Sequence, residues 1–359
     1  MSRIKLSSYA LIIILIVLTV FAGCNTEERV EDVMETKADR EQIGFSFDSF
    51  VIERWTRDKE VFVSAAAAMG ADVNVQNANG DLETQREQIR HFIKKPVDVI
   101  VVVATDSDGL SDVVSEAVKK GINVIAYDRM INNADIDLYI SFDNEKVGTL
   151  MAEALTDITG GSGKCLMLCG PNTDDNVERV ETGFKKTVEK SGLSVEGKIN
   201  AENWRAEAAY EYLEDNSDIL PYIDGIMCGN DNLATQTVKY LAENGLAGKI
   251  PVVGQDADLE ACQRIVEGTQ LMTVYKPVEY LAHTAAEAAV SLAKSGGLSQ
   301  MSSYYKEKGG QCIKINTDDG HSYDCISLEP VAVDAGNMDS VIIDGGFHLR
   351  EEVYLNVKR

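Results

Sequence analysis

The sequence predicts an α/β protein of two doubly wound, Rossmann-like lobes. Three observations carry that expectation. Short apolar runs alternate with segments of helical spacing along most of the chain. Runs such as Val99-Ile100-Val101-Val102-Val103 are apolar on both faces, as strands of a parallel sheet covered by helices must be. The stretch 42–359 is also longer than one hydrophobic core usually serves, so two lobes are expected.

The chain opens with Arg3 and Lys5, an apolar run over 10–21, and then Phe21-Ala22-Gly23-Cys24. This pattern resembles a bacterial lipoprotein signal, residues 1–24, in which Cys24 becomes the lipidated first residue. The run is shorter than the roughly 20 residues a membrane-spanning helix needs. Residues 25–41 are polar and acidic, with Glu27, Glu28, Glu31, Asp32, Glu35 and Asp39, and read as a flexible tether between membrane and domain. Strands are then expected at 42–47, 72–76, 98–104, 123–127, 164–169, 224–228, 250–254 and 271–275. Helical spacing lies between most of them, as at 82–93 with Ile89, Phe92 and Ile93, or at 233–241 with Val238 and Leu241.

In such folds ligands sit beyond the carboxyl ends of the parallel strands. Those ends read Asp48, with Glu53-Arg54-Trp55 soon after; Asn77-Ala78-Asn79-Gly80; Thr105-Asp106; and Asp128-Arg129. The later ones read Gly170-Pro171-Asn172 with Asp175-Asn176 beyond, Gly229-Asn230-Asp231, Gln255-Asp256-Ala257-Asp258 and Lys276-Pro277. So many polar endings on one rim predict a shared polar cleft. Asp and Asn accept hydrogen bonds while Arg, Lys and Asn donate them, and a sugar hydroxyl does both. Trp55 and Trp204, the only tryptophans, accompany this rim. An indole face can cover the C–H face of a pyranose. Taken singly, each tryptophan reads equally well as core packing, and Asp128-Arg129 as a surface ion pair.

Charge and cysteines narrow the classes. A formal net charge of -24 excludes nucleic acid as a partner, because a polyanion is repelled. Of the seven cysteines, Cys165 and Cys169 lie about 13 Å apart along one strand, too far to bond to each other. No Cys/His cluster suggests zinc, and Asp256-Ala257-Asp258 is only a fragment of a calcium loop, so no metal and no cofactor is expected.

Longer stretches carry a resemblance. The segment from Ala126-Tyr127-Asp128-Arg129-Met130-Ile131-Asn132 to Ser141-Phe142-Asp143-Asn144-Glu145-Lys146-Val147-Gly148 is similar to the periplasmic D-xylose-binding branch of the sugar-binding proteins of ABC transporters. So are Gln76-Asn77-Ala78-Asn79-Gly80, Gly254-Gln255-Asp256-Ala257-Asp258 and the stretch from Gly268-Thr269-Gln270 to Tyr275-Lys276-Pro277. The resemblance implies a type I periplasmic binding protein: two lobes, a three-segment hinge and a monosaccharide clamped between them. It implies an N-terminal lobe of 42–142 plus 257–297 and a C-terminal lobe of 143–256 plus 329–357. Carried over by position, Arg54, Trp55, Asp128 and Arg129 bind the sugar from the first lobe. Asn176, Trp204, Asn230, Asp256 and Lys276 bind it from the second lobe or its hinge, with the tryptophans on either face of the ring. The implied protein is a monomer, lipid-anchored outside the cytoplasm, that delivers an aldose, D-xylose foremost, to an ABC permease. Departures stand at Asp175, at Glu181 where a basic residue is expected, and after Trp204; they leave glucose, ribose or galactose open as ligands.

Other functions fit less well. An enzyme of this fold lacks a Gly-x-Gly-x-x-Gly after the first strand and a Gly-x-Ser-x-Gly elbow, and the four histidines are scattered. A sugar-responsive repressor needs an N-terminal DNA-binding segment where this chain has a secretion signal. A sensor that presents its closed form to a chemoreceptor or kinase keeps the same ligand and changes only the partner.

The resemblance is weakest over 298–328, which reads as an inserted hairpin. A two-residue turn at Asp318-Asp319 pairs Thr317 with Gly320 and sets Cys312 opposite Cys325, about 4.5 Å apart at Cα and within reach of a disulfide. A turn at Asp318-Asp319-Gly320 slips that register by one.

Overall fold

The structure, a computed structural model, describes residues 40–357 apart from 96, 296, 302–305, 307–309 and 317–319. The signal segment, Cys24, the tether up to residue 39 and the hairpin turn residues Asp318 and Asp319 lie outside the described residues.

The first lobe begins as strand–helix alternation: β1 (Glu41–Phe47), α1 (Arg54–Ala68), β2 (Ala71–Asn77), α2 (Leu82–Lys94), β3 (Val99–Val102), α3 (Ser111–Lys119), β4 (Asn123–Tyr127) and β5 (Leu138–Phe142). The second continues with α4 (Asn144–Thr159), β6 (Ser162–Cys169), α5 (Asp175–Val188), β7 (Gly192–Asn200), α6 (Glu207–Asp215), β8 (Gly225–Cys228), α7 (Asp231–Glu243), β9 (Val252–Gln255), α8 (Leu259–Glu267) and β10 (Met272–Tyr275). Then α9 (Val278–Ala293), β11 (Gln311–Asn316), β12 (Ser322–Leu328) and β13 (Val331–Val333) follow. The eight strands expected from apolar runs are all present; β5, β7 and β13 join them.

Two sheets result. The first runs β11-β12-β5-β4-β3-β1-β2 and the second β13-β10-β9-β8-β6-β7. Apart from the antiparallel β11–β12 and β10–β13 pairs, neighbours are parallel. The central strands are fully buried, which is why β3 reads Val-Ile-Val-Val without alternation. Among the described residues the chain passes between lobes at Asp143, at Lys276-Pro277 and at Glu329-Pro330, and Asp143 N–H donates to Leu328 O at 2.9 Å, tying the first passage to the third.

Three expectations need correction. Residues 257–275 belong to the second lobe, because β10 pairs in parallel with β9 through the short crossover α8; the return to the first lobe comes only at Pro277, where α9 opens and packs on α1 and β1. The hairpin is no separate insert. β12 lies parallel to β5 with Ser327 opposite Ser141, extending the first sheet and pairing an edge that would otherwise expose its N–H and C=O groups. Its register is slipped by one from the disulfide geometry: Cys312 faces Ile326 and Cys325 faces Ile313, so the two thiols leave opposite faces and no disulfide joins them.

Candidate functional site

The site starts where β4 stops. Asp128 has φ of 61, and Arg129 N–H closes a three-residue turn onto Tyr127 O at 2.7 Å. Such turns are rare for a residue with a side chain and persist only when surroundings hold them. Here the Asp128 carbonyl accepts from Ser141 Oγ at 2.7 Å, Tyr139 OH at 3.2 Å and Asn176 Nδ2 at 3.0 Å, while Asp128 N–H donates to Ile140 O at 2.7 Å. Asn176 comes from α5 of the second lobe, so this turn is also where the lobes meet.

The turn aims two charged side chains inward, and each finds a buried network. Arg54, the first residue of α1, donates from Nε and Nη2 to Asp58 at 3.2 Å, one helical turn on, and from Nη2 to Asp128 Oδ2 at 3.0 Å. Its guanidinium carbon lies 4.4 Å from the Trp55 ring centre. Tyr127 OH donates to Asp58 in turn. Burial works against the Asp128 carboxylate, but Arg54, Lys276 and Arg129 outweigh it and hold its pKa below the usual range. For Asp58 the balance reverses: burial outweighs Arg54 and raises the pKa. Arg129 reaches Asp48 Oδ2 at 2.8 Å and the Ala104 carbonyl at 3.1 Å through Nη1. Its Nε meets Asp174 Oδ2 at 2.8 Å. Asp174 also caps α5 by accepting from Asn176 N at 3.1 Å, so one carboxylate orients a second-lobe helix and grips a first-lobe arginine.

The second lobe answers with strand ends of its own. After β7, Asn203 and Trp204 both adopt positive φ, 49 and 56, which packs the indole onto Gly170, where a Cβ would collide with the ring. Asn230 caps α7 through Oδ1, accepting from Leu233 N at 2.9 Å. Gln255 Nε2 donates to Gly229 O. Asp256, at φ 97, lies 3.5 Å from Lys276 Nζ and 4.0 Å from Arg54 Nη1.

These side chains surround one interlobe cavity, a concave site of the kind in which small ligands bind. Of the residues singled out in the sequence, Arg54, Trp55, Asp128, Arg129, Asn176, Trp204, Asp256 and Lys276 line it; Asn230 lies next in the chain to the lining residue Gly229. Lys276 is buried at 5% exposure and so does not approach from the rim. Sequence reasoning missed Asp174 and the apolar Val177, Val180 and Met227, and it gave no ligand role to Gln255, named only as a rim residue. The signal for Asp174 was available, since an Asp just before a helical run is an N-cap. Glu181 was noted only as a departure; Lys185 and Lys198 flank it and lower its pKa against the effect of burial.

Charge within the cavity is closely matched. Each cation, Arg54, Arg129 and Lys276, already faces at least one carboxylate, so an anionic ligand would find no unpaired positive group. What remains is hydrogen-bonding capacity. Among the described residues, Arg129 Nη2, Asn230 Nδ2 and the indole N–H groups of Trp55 and Trp204 are buried donors without a hydrogen-bond partner, and Gln255 Oε1 and Asp256 Oδ1 are buried acceptors without one. Buried polar atoms are rarely left so, and a mixed set at and beside one cavity matches a neutral ligand that donates and accepts.

Two parallel-sheet lobes that close over such a cavity, with the chain passing three times between them, define a two-lobed solute-binding protein of the type I periplasmic fold. The chain belongs to the periplasmic binding protein family: the family described as "Periplasmic binding protein domain" matches residues 43–297. The D-xylose-binding periplasmic proteins of Haemophilus influenzae and Escherichia coli are each 39% identical to it over 323 residues, covering 87% of this chain and 92% of the relative. A solved ABC transporter solute binding protein from Clostridium phytofermentans with bound beta-D-glucose is 25% identical, with a TM-score of 0.75, covering 87% of this chain and 100% of that chain.

Proposed function

We propose that this protein captures an aldose outside the cytoplasm, D-xylose foremost, and delivers it to an ABC permease without covalent chemistry. The observation that carries this reading is the charge-matched cavity whose remaining donors and acceptors make no hydrogen bond among the described residues. The names of its relatives point the same way. In this reading Arg129 Nη2 and Asn230 Nδ2 donate to hydroxyls, Asp256, Asp128 and Gln255 accept from them, and Trp55 and Trp204 cover the ring faces. Lys276 and Arg54 complete the donor set, and Asn176 couples sugar to lobe closure. Closure is driven by the sugar's greater affinity for the shut state. The mature chain is a monomer tethered through lipidated Cys24.

Calorimetry on the detergent-solubilised full chain tests it. One-site xylose binding, accompanied by a change in tryptophan fluorescence, is the expected result. No heat with any pentose or hexose sinks the reading.

A further inference from the structure

Asp231, read in the sequence only as part of the polar rim, is wholly buried and has no role in the sugar reading, yet three second-lobe groups converge on its carboxyl. Thr273 Oγ1 donates to its Oδ2 at 2.7 Å, Asp258 N–H to the same oxygen at 3.2 Å and Gln270 Nε2 to Oδ1 at 2.9 Å. A Cβ on Gly254 would collide with Oδ1, so glycine there lets the carboxyl lie against β9. The Thr273 hydroxyl also accepts Ala257 N–H at 3.1 Å, and His348 Nε2 donates to Ala257 O at 2.8 Å. All of these contacts surround one turn, Gln255 to Asp258, in which Asp256 and Ala257 both carry positive φ, 97 and 57. Two successive side-chain-bearing residues in that region do not stay there unless the surroundings impose it.

We propose that Asp231 is a positioning residue for ligand binding: its carboxyl and the Thr273 hydroxyl pin the strained Gln255 to Asp258 turn and so fix Asp256 against Lys276 and Arg54 in the cleft. The inference rests on the sugar-binding reading of that cleft. It also makes binding sensitive to pH. The titratable and charged groups around Asp231 are Asp256 and Asp258 from the turn, Arg264 and Cys262 from α8, and Cys228 from β8; Glu53, beside Asp258, adds a further negative charge. Burial, helped by Asp256, pushes the Asp231 pKa up to about 7 against the pull of Thr273, Arg264 and Gln270. The carboxyl therefore changes protonation between pH 8 and pH 6, and its hold on the turn changes with it.

The test compares the full-length wild type with Asp231→Ala, Asp231→Asn and Thr273→Val, measuring xylose affinity at pH 6, 7 and 8 and the melting temperature without sugar. Asp231→Ala is expected to weaken binding about ten- to a hundredfold, the scale of a ligand group shifted by an ångström or so. Thr273→Val removes the hydroxyl linking Asp231 to Ala257 N–H while keeping the side chain's shape, and is expected to weaken binding severalfold. Asp231→Asn keeps an oxygen for Thr273 and Asp258 N–H; it should recover much of the affinity and bind equally at pH 6 and pH 8. The proposal is overturned if Asp231→Ala and Thr273→Val bind like wild type, or if all variants lose affinity only in step with melting temperature and keep the wild-type pH profile. A wild type that binds no monosaccharide at any pH overturns the sugar reading itself, and this inference with it.

Discussion

Two turns present carboxylates to the cleft, one from each lobe, and they solve the same backbone problem by opposite means. Asp128 ends β4 at φ 61 and Asp256 ends β9 at φ 97. The first turn is held by neutral donors converging on one carbonyl, a serine, a tyrosine and an asparagine from across the lobe gap. The second is held by a buried acid, Asp231, with two further carboxylates beside it. Neutral hydroxyls and amides do not titrate near pH 7, whereas a crowd of buried carboxylates does. One turn is therefore fixed across physiological pH and coupled to closure. The other is pH-sensitive and internal to its lobe.

The largest expected effect breaks the first side of this comparison. Arg129→Ala removes a donor aimed into the cavity and strands Asp48 and Asp174 without their cation. Calorimetry should show binding weakened by about 2 to 4 kcal/mol. Urea unfolding should show a stability loss of roughly 3 kcal/mol for the orphaned buried charge. Normal binding by this variant would remove the Asp128-Arg129 turn from the ligand.

The second effect belongs to the acid side. A carboxyl whose pKa is higher in the folded chain than in the unfolded one contributes stability that is full below the unfolded value and lost as pH rises through the folded value. Asp231, raised from 3.8 to about 7, therefore stabilises the protein at pH 5 relative to pH 8. The share of this difference due to Asp231 is on the order of 2 kcal/mol and is lost in Asp231→Asn, while Asp258, raised by burial and its neighbours, keeps a dependence of the same sign. Asp128 has the opposite sign, its depressed pKa costing stability only well into the acid range. A stability that climbs steadily from pH 5 to pH 8 contradicts this assignment.

A smaller effect separates closure from folding. Asn176→Ala removes the amide that crosses the lobe gap to Asp128 and also accepts from Tyr139 and Asn144. Sugar affinity should fall by about 1 to 2 kcal/mol. The sugar-free melting temperature should stay within a degree or two, since each lobe keeps its own core.

How much of this was legible in the sequence follows the same physics. Apolar runs revealed the buried strands, and the residues after them revealed the rim, because a parallel sheet must be apolar within and can be polar only at its ends. β7 escaped because it lies at the sheet edge with much of its surface exposed, so Gly192–Asn200 lacks an apolar run. Asp58 escaped for a different reason, and Asp231 was read only as part of the rim. Each lies in a helix, and only the tertiary fold brings Arg54 to one and Thr273 to the other. The hairpin register escaped because its turn length decides which face each cysteine takes, and Asp318-Asp319 did not determine that length.

The smallest effect sharpens the contrast most directly. Ser141→Ala deletes one of the three side-chain donors on the Asp128 carbonyl and leaves Tyr139 OH and Asn176 Nδ2 in place. The carbonyl stays satisfied, so no buried acceptor is orphaned and the loss should be that of one ordinary hydrogen bond, about 0.5 to 1 kcal/mol in stability and less in affinity. Thr273→Val also deletes a single buried hydroxyl, but that hydroxyl is shared between Asp231 and Ala257 N–H, and its removal leaves Ala257 N–H without the acceptor it had. Equal affinity losses from the two substitutions would mean the turns are supported alike and the contrast drawn between them fails. A loss confined to Thr273→Val, with Ser141→Ala binding sugar at near wild-type strength and at every pH, is the outcome that redundancy at one turn and a single linking hydroxyl at the other require.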